Sequence, residues 1–269
     1  MKQLRKISIL GAAALFLVAF TGSALATDVP SGAVVVERIF DDSFASILTV
    51  DNSYPLMISI NDEAAGPLGW ANLHAWRFSS DGATAHEFAN TDGFMFSSDV
   101  TLSGTGDGES GLQLRPWWSE SDGRFNVRTP DGEVACFGGR LPFYSFTGSN
   151  GVSYVKGTTV HLAIIYRPNV DMNEANPATI EYTYDDGANS YSSGQLPFDE
   201  GNPAEAPEHG SWGILSPAQA GGHMQFNNMV GAGEGANFNV VWGNITFTDL
   251  GSVVATEESS WGGVKALFR

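Results

Sequence analysis

Hydrophobic and polar positions alternate along much of the chain, most clearly from Phe94 onward. In FMFSSDVTLSG, Phe94, Phe96, Ser98, Val100 and Leu102 fall on one side, and Met95, Ser97, Asp99 and Thr101 on the other. A period of two is the mark of a half-buried strand. In GLQLRPWW, Leu112 and Leu114 oppose Gln113, Arg115 and Trp117. In GRFNVR, Phe125 and Val127 oppose Arg124, Asn126 and Arg128. Short Gly/Asp turns separate these runs, and EVACFGG follows them. Paired as a meander, the stretch from Phe94 to Arg140 lays its apolar side on a core. Its other side becomes a sheet face carrying three Arg, a Gln, an Asn and a Trp.

The remaining apolar runs are short and punctuated in the same way. Val34–Val36 with Ile39 and Phe40, Leu56–Ile60, and Phe143–Phe146 read as strands. His74–Phe78 and Ala85–Phe88 read as a hairpin over Asp81-Gly82. Thr158–Arg167 is the most apolar strand and ends at Pro168. Ala178–Tyr184 and Ser190–Leu196 flank Asp185-Asp186-Gly187, a hairpin signal. Trp212–Leu215, Met224–Phe226 and Asn237–Asp249 complete the series, and Asn61–Ala71 and Asn202–Gly210 read as loops. No run before residue 250 holds a helical period over three turns. The expected fold is all-β: a two-sheet antiparallel jelly-roll sandwich spanning residues 27–250.

The ends differ from this pattern. Lys2, Arg5 and Lys6, the apolar run Ile7–Phe20 and the small residues Ser23-Ala24-Leu25-Ala26 have the form of an export signal over residues 1–26. The chain is therefore expected at the cell surface or secreted. At the other end, residues 251–269 read as a linker and tail. Trp261, Val264, Leu267 and Phe268 share one face of a short C-terminal amphipathic helix, weakened by Gly262-Gly263. That helix either packs on the sandwich, or the segment Trp261–Arg269 docks to a sorting or surface partner.

Net charge is −17. Without the signal, 10 basic residues face 30 acidic ones, a balance of −20. Such a chain repels nucleic acid and anionic membrane surfaces. After the signal, no segment is long and apolar enough to span a bilayer. The single cysteine, Cys136, lies in the apolar run VACF and reads as a small buried hydrophobe. No disulfide can form within the chain, so core burial must hold it together. Asp171-Met172-Asn173 begins like a calcium-binding loop. Asn176 stands where that loop needs Gly, and Tyr182 where it needs Glu, so an EF-hand is excluded. A loop-bound calcium at Gly106–Glu109 or Asp171–Glu174 stays open; otherwise no cofactor is expected. The five histidines show no metal-ligand spacing.

Three segments, FMFSSDVTLSG, VHLAIIYRPN and IEYTYDDG, with the late strand WGNITFTD, resemble the concanavalin A-like lectin/glucanase superfamily in its laminin-G-like form. The resemblance covers about Phe94 to Phe247. It implies two stacked sheets whose concave face or edge loops bind carbohydrate, and some members cleave glycans. The glucanase motifs E-x-D-x-x-E and E-x-D-x-E are absent. The nearest approach is Glu181 with Asp185, and Asp185 opens a turn. Polysaccharide lyases of this architecture use Arg or Gln against a uronate carboxylate, with Tyr or His for proton transfer. Gln113, Arg115, Arg124, Asn126 and Arg128 can supply the first part. Of His161 and Tyr166 at most one can join, because five residues apart they face opposite sides. The plainer account of the arginines is cross-strand pairing with Asp99, Asp107, Glu109, Glu120 or Glu133.

The expectation is a secreted jelly-roll module that binds a polysaccharide or other glycan without catalysis, through Gln113, Arg115, Trp117, Arg124, Asn126 and Arg128. Trp117 is favoured for stacking because it lies on the side of Gln113 and Arg115. Trp70, Trp76, Trp212 and Trp242 are expected in the core or at its rim. The alternatives are a polysaccharide lyase or glycoside hydrolase, and a structural surface protein with a sorting tail.

Overall fold

The computed structural model describes residues 29–115, 123–138, 141–199, 212–214 and 217–253. The segment 1–26 read as an export signal, Trp117 and the tail from 254 onward lie outside the described residues.

The first strands are β1 (Gly32–Asp41), β2 (Ile47–Ser53), β3 (Met57–Glu63), β4 (Asn72–Ser79) and β5 (Asp92–Ser103). The meander follows as β6 (Asp107–Arg115), β7 (Gly123–Arg128), β8 (Val134–Phe137) and β9 (Tyr144–Ser145). After α1 (Phe146–Asn150) come β10 (Thr159–Arg167), β11 (Thr179–Asp185), β12 (Ser190–Ser192) and β13 (Leu196–Pro197). The chain then forms β14 (Gln219–Asn227), α2 (Met229–Ala232) and β15 (Asn237–Ser252). One sheet has seven strands in the order β1-β4-β14-β6-β7-β8-β9. The other has eight, β12-β11-β10-β5-β15-β3-β2, with β13 beside β11. All pairings are antiparallel. The architecture is a two-sheet jelly-roll sandwich.

The period-two sides predicted from the sequence are the core sides. Phe94, Phe96, Ser98, Val100 and Leu102 are buried, as are Leu112, Leu114, Phe125 and Val127. Aromatic pairs join the two sheets across the middle: Trp76–Trp242 at 6.3 Å, Phe78–Phe96 at 5.6 Å, Phe125–Tyr182 at 5.7 Å and Phe226–Phe238 at 5.9 Å between ring centroids. Such edge and tilted contacts favour a fixed register of one sheet on the other. Cys136 is buried and free, and burial pushes its thiol well above the usual range. Tyr166 points into the core, while His161 lies half-exposed on the opposite side of β10.

One polar bridge also spans the sheets. Asp62 of β3 accepts from Asn72 Nδ2 at 2.8 Å and meets His74 Nε2 at 2.7 Å, both from β4, and all three are buried. Burial alone would raise the Asp62 carboxyl, but hydrogen bonds from His74, Ser46 and Asn72 hold it below its usual range.

Several expectations need correction. The segment Ala85–Phe88 is not the second arm of a hairpin with β4. His86 N donates once to Phe78 O, and Phe88 bridges Ala218 instead. The turn itself is as expected: Asp81 Oδ1 accepts from the amides of Ala83 and Thr84, and Gly82 takes a positive φ of 72°. Trp212–Ile214 is bent chain rather than strand, with Trp212 at φ 58°. Met224–Phe226 is the later part of a nine-residue strand, Gln219–Asn227. β15 runs through Gly251 and Ser252, which pair with Gly93 and Asp92. No helix among the described residues is long and apolar enough to cross a membrane.

Candidate functional site

The outer face of the seven-stranded sheet collects the polar half of the meander, and the register shows how. Across β4, β14, β6 and β7, three rows of directly opposed residues run Arg77–Gly221–Gln113–Arg124, Ala75–His223–Gly111–Asn126 and Leu73–Gln225–Glu109–Arg128. Four of the six expected site residues, Gln113, Arg124, Asn126 and Arg128, therefore do share one face. The side chains of Arg115 and Trp117 fall outside the described residues.

The centre of this face is closed. Arg77, Gln113, Asn126 and His223 are fully buried. His223 on β14 reaches across Gly111 of β6 to Asn126 on β7, where Nε2 meets Oδ1. Burial, and then the guanidinium groups of Arg124 and Arg77, push the His223 imidazole well below its usual pKa. It is neutral across the physiological range. His223 Nδ1 and Asn126 Nδ2 have no hydrogen-bond partner among the described residues.

The arginines of β7 are bound to the protein's own carboxylates. Arg124 Nη1 donates to Glu109 Oε1 at 2.8 Å and to Gln225 Oε1 at 2.9 Å. Arg128 reaches Glu133 at 2.9 Å, Asp131 at 3.3 Å and Glu109 at 3.7 Å. Cross-strand pairing, the plainer of the two sequence accounts, therefore describes Arg124 and Arg128 well.

At one end the face opens. Trp70, Asp107, Arg128, Pro130, Gln225, Asn227 and Asn228 line a cleft of about 410 Å³. This lies within the size range of small-molecule sites. Trp70 is 60 % exposed, which a ring with only a core role would not be. Its backbone is fixed all the same: Trp70 O accepts from Met229 N at 2.9 Å, Gly69 O from Val230 N at 3.2 Å, and Gly69 N donates to Ser43 Oγ at 2.7 Å. The polar groups are also set in place. Gln225 Nε2 donates to Asn227 Oδ1 at 2.8 Å, and Asp107 meets Lys156 Nζ at 2.6 Å and accepts from Thr129 Oγ1 at 2.9 Å. The Lys156 contact first, then Thr129, outweigh burial and hold the Asp107 carboxyl below its usual range. The cleft thus joins one open aromatic ring to a short row of preset donors and acceptors.

Sequence reasoning missed Trp70, His223, Gln225 and Asn227. The last three alternate with Met224 and Phe226, and that period was there to be read. Trp70 sits in a Gly/Pro-rich loop with no period.

The other expected chemistry is committed elsewhere. Glu181 pairs with Arg167 at 3.0 Å and accepts from Ser192, on the outside of the opposite sheet. Asp185 and Asp186 accept from the amides of their own turn. Asp99 meets His161 at 2.7 Å and Asn244 at 2.7 Å. Among the described residues, no group of three His, Cys, Asp or Glu side chains stands together as a metal site.

The fold and face define a jelly-roll sandwich with a polar outer sheet face. Comparison with solved structures gives distant likenesses. An alginate lyase of polysaccharide lyase family 7, AlgAT5, matches with 11 % identity over 76 % of this chain and 83 % of its own, TM-score 0.41. An alginate lyase of family 14 from Aplysia kurodai matches with 10 % identity over 80 % and 90 %, TM-score 0.41. A basic winged bean lectin matches with 8 % identity over 81 % and 99 %, TM-score 0.36. Likenesses this distant decide nothing about the superfamily or the site. No family model matches the chain, and no curated protein does.

Proposed function

We propose that this chain is an exported carbohydrate-binding module that takes a polysaccharide in the cleft at Trp70 without cleaving it. The carrying observation is the open Trp70 ring in one cleft with Asn228 and with Gln225, Asn227 and Arg128, whose side chains are held by hydrogen bonds. A flat ring covers the apolar face of a pyranose, and side-chain amides and a guanidinium meet its hydroxyls. Hydrolysis needs two carboxyl groups flanking the bond. Among the described residues lining the cleft, Asp107 is the one carboxylate, and Lys156 keeps it ionised. The test is affinity electrophoresis of the full chain on a polysaccharide panel, with Trp70→Ala beside it. Retardation that disappears in the variant, with an unchanged circular dichroism spectrum, is the expected result. Equal retardation of both proteins removes Trp70 from the site.

A second reading has one specific observation behind it. A neutral imidazole, His223, stands beside Arg124 and Arg77. A base next to cations is what proton abstraction beside a uronate carboxylate requires. This reading predicts unsaturated sugar ends released from a uronate polymer and lost in His223→Ala. The full burial of His223 favours binding over cleavage.

A further inference from the structure

We infer that the ligand of the Trp70 cleft is an uncharged polysaccharide, not a uronate or sulfated polymer. The inference rests on the carbohydrate reading above and adds the class of sugar. Among the described residues two charged side chains line the cleft, Arg128 and Asp107, and the protein neutralises both. Arg128 is shared among Glu109, Asp131 and Glu133. Asp107 is held by Lys156. Including Arg124, which binds Glu109 beneath the cleft, three cations stand against four carboxylates. The local balance is therefore negative by one.

A sugar carboxylate or sulfate entering here would have to displace a carboxylate that Arg128 already holds in the protein. That exchange gains no ion pair and only returns Glu133 or Asp131, both part-exposed, to solvent, so Arg128 offers an anion no net attraction. At longer range the whole chain, at −17, repels a polyanion. A neutral pyranose faces neither cost. It needs a stacking surface and fixed hydrogen-bond groups, and the cleft supplies Trp70, Gln225, Asn227 and Asn228. Arg77, the arginine of β4, does not alter this balance. It lies in the row of Gly221, four residues along β14 from Gln225, about 13 Å away at the usual strand rise.

The experiment measures binding of the full chain to neutral glucans, mannans and galactans and to uronate and sulfated polymers, from about 0.05 M to about 0.5 M salt. Trp70→Ala is measured in parallel. Its exposed position keeps the fold, and thermal melting checks this. The expected result is binding to a neutral polymer that changes less than about twofold across the salt range and falls at least tenfold in Trp70→Ala. Binding to a polyanion instead, weakening as salt rises and lost in Trp70→Ala, overturns the inference and leaves the carbohydrate reading standing. No binding to any polymer, or binding that ignores Trp70, overturns both.

Discussion

Replacing His223 with glutamine should change how stability depends on pH, by an amount that follows from its burial. His223 is fully buried, with Arg124 and Arg77 close by, and its pKa is depressed by burial first and by those guanidinium groups next. In the unfolded chain the imidazole returns to an ordinary pKa of about 6.5. Below that pH the unfolded state binds a proton that the folded state refuses. The unfolded state then binds more protons, so stability falls as pH falls. The loss is absent above the unfolded pKa. It reaches about 1.4 kcal/mol one unit below it and about 2.7 kcal/mol two units below, for as long as the folded imidazole stays neutral. Glutamine cannot titrate and keeps an amide within reach of Asn126. Urea unfolding of wild type and His223→Gln at a series of pH values isolates the effect, because carboxylates and the other histidines contribute equally to both. The gap between the two proteins should be constant above about pH 7.5 and should shift against the wild type by these amounts as pH drops. Curves that stay parallel down to about pH 4.5 would mean that His223 titrates normally. A neutral imidazole in this face would then be wrong, and the proton-abstraction reading would lose its base.

Other outcomes follow from the same contacts. Phe125→Ala should cost about 3–5 kcal/mol in denaturant unfolding, since its ring is fully buried against Phe146 and Tyr182; a cost below about 1 kcal/mol would mean the sheets collapse onto the gap. Glu109→Gln should destabilise by about 3 kcal/mol, because it leaves the nearly buried Arg124 charge facing only amide acceptors in place of Glu109; an exposed-pair value below about 0.5 kcal/mol would refute that. Cys136 should resist an aromatic disulfide reagent in the native chain and react at once in denaturant, and equal rates in both would show that the β8 core is open.

The sequence carried the strands that alternate clearly: the runs at Phe94, Leu112 and Phe125 needed no partner to reveal their buried sides, whereas the mostly exposed edge strand β2 (Ile47–Ser53) was not among those expected. It also carried the common face of Gln113, Arg124, Asn126 and Arg128, because β6 and β7 are neighbours along the chain and their register is local. It could not carry the strand that completes the face. β14 lies between β4 and β6, about a hundred residues from the meander, and nothing local records that pairing. The short run Met224–Phe226 therefore holds Gln225 but stops short of His223 and Asn227 on either side. Trp70 was hidden for another reason. Loops have no period, so only the hydrogen bonds that tie Gly69 and Trp70 to α2 and Ser43 tell an open ring from a packed one.

That division has a consequence for function. The centre of the face joins Gln113 and Asn126, which the strand pattern placed, to Arg77 and His223, which it did not, and all four are sealed from solvent. The open end joins Arg128, which the pattern placed, to residues that it missed, and Trp70 stands there in water beside Gln225 and Asn227. Arg124 links the two, donating to Glu109 and also to Gln225, whose amide in turn holds Asn227. The buried ion pair thereby fixes the geometry of the cleft without entering it. A binding surface for a neutral polymer needs this arrangement, because fixed amides cost little to order when the sugar arrives.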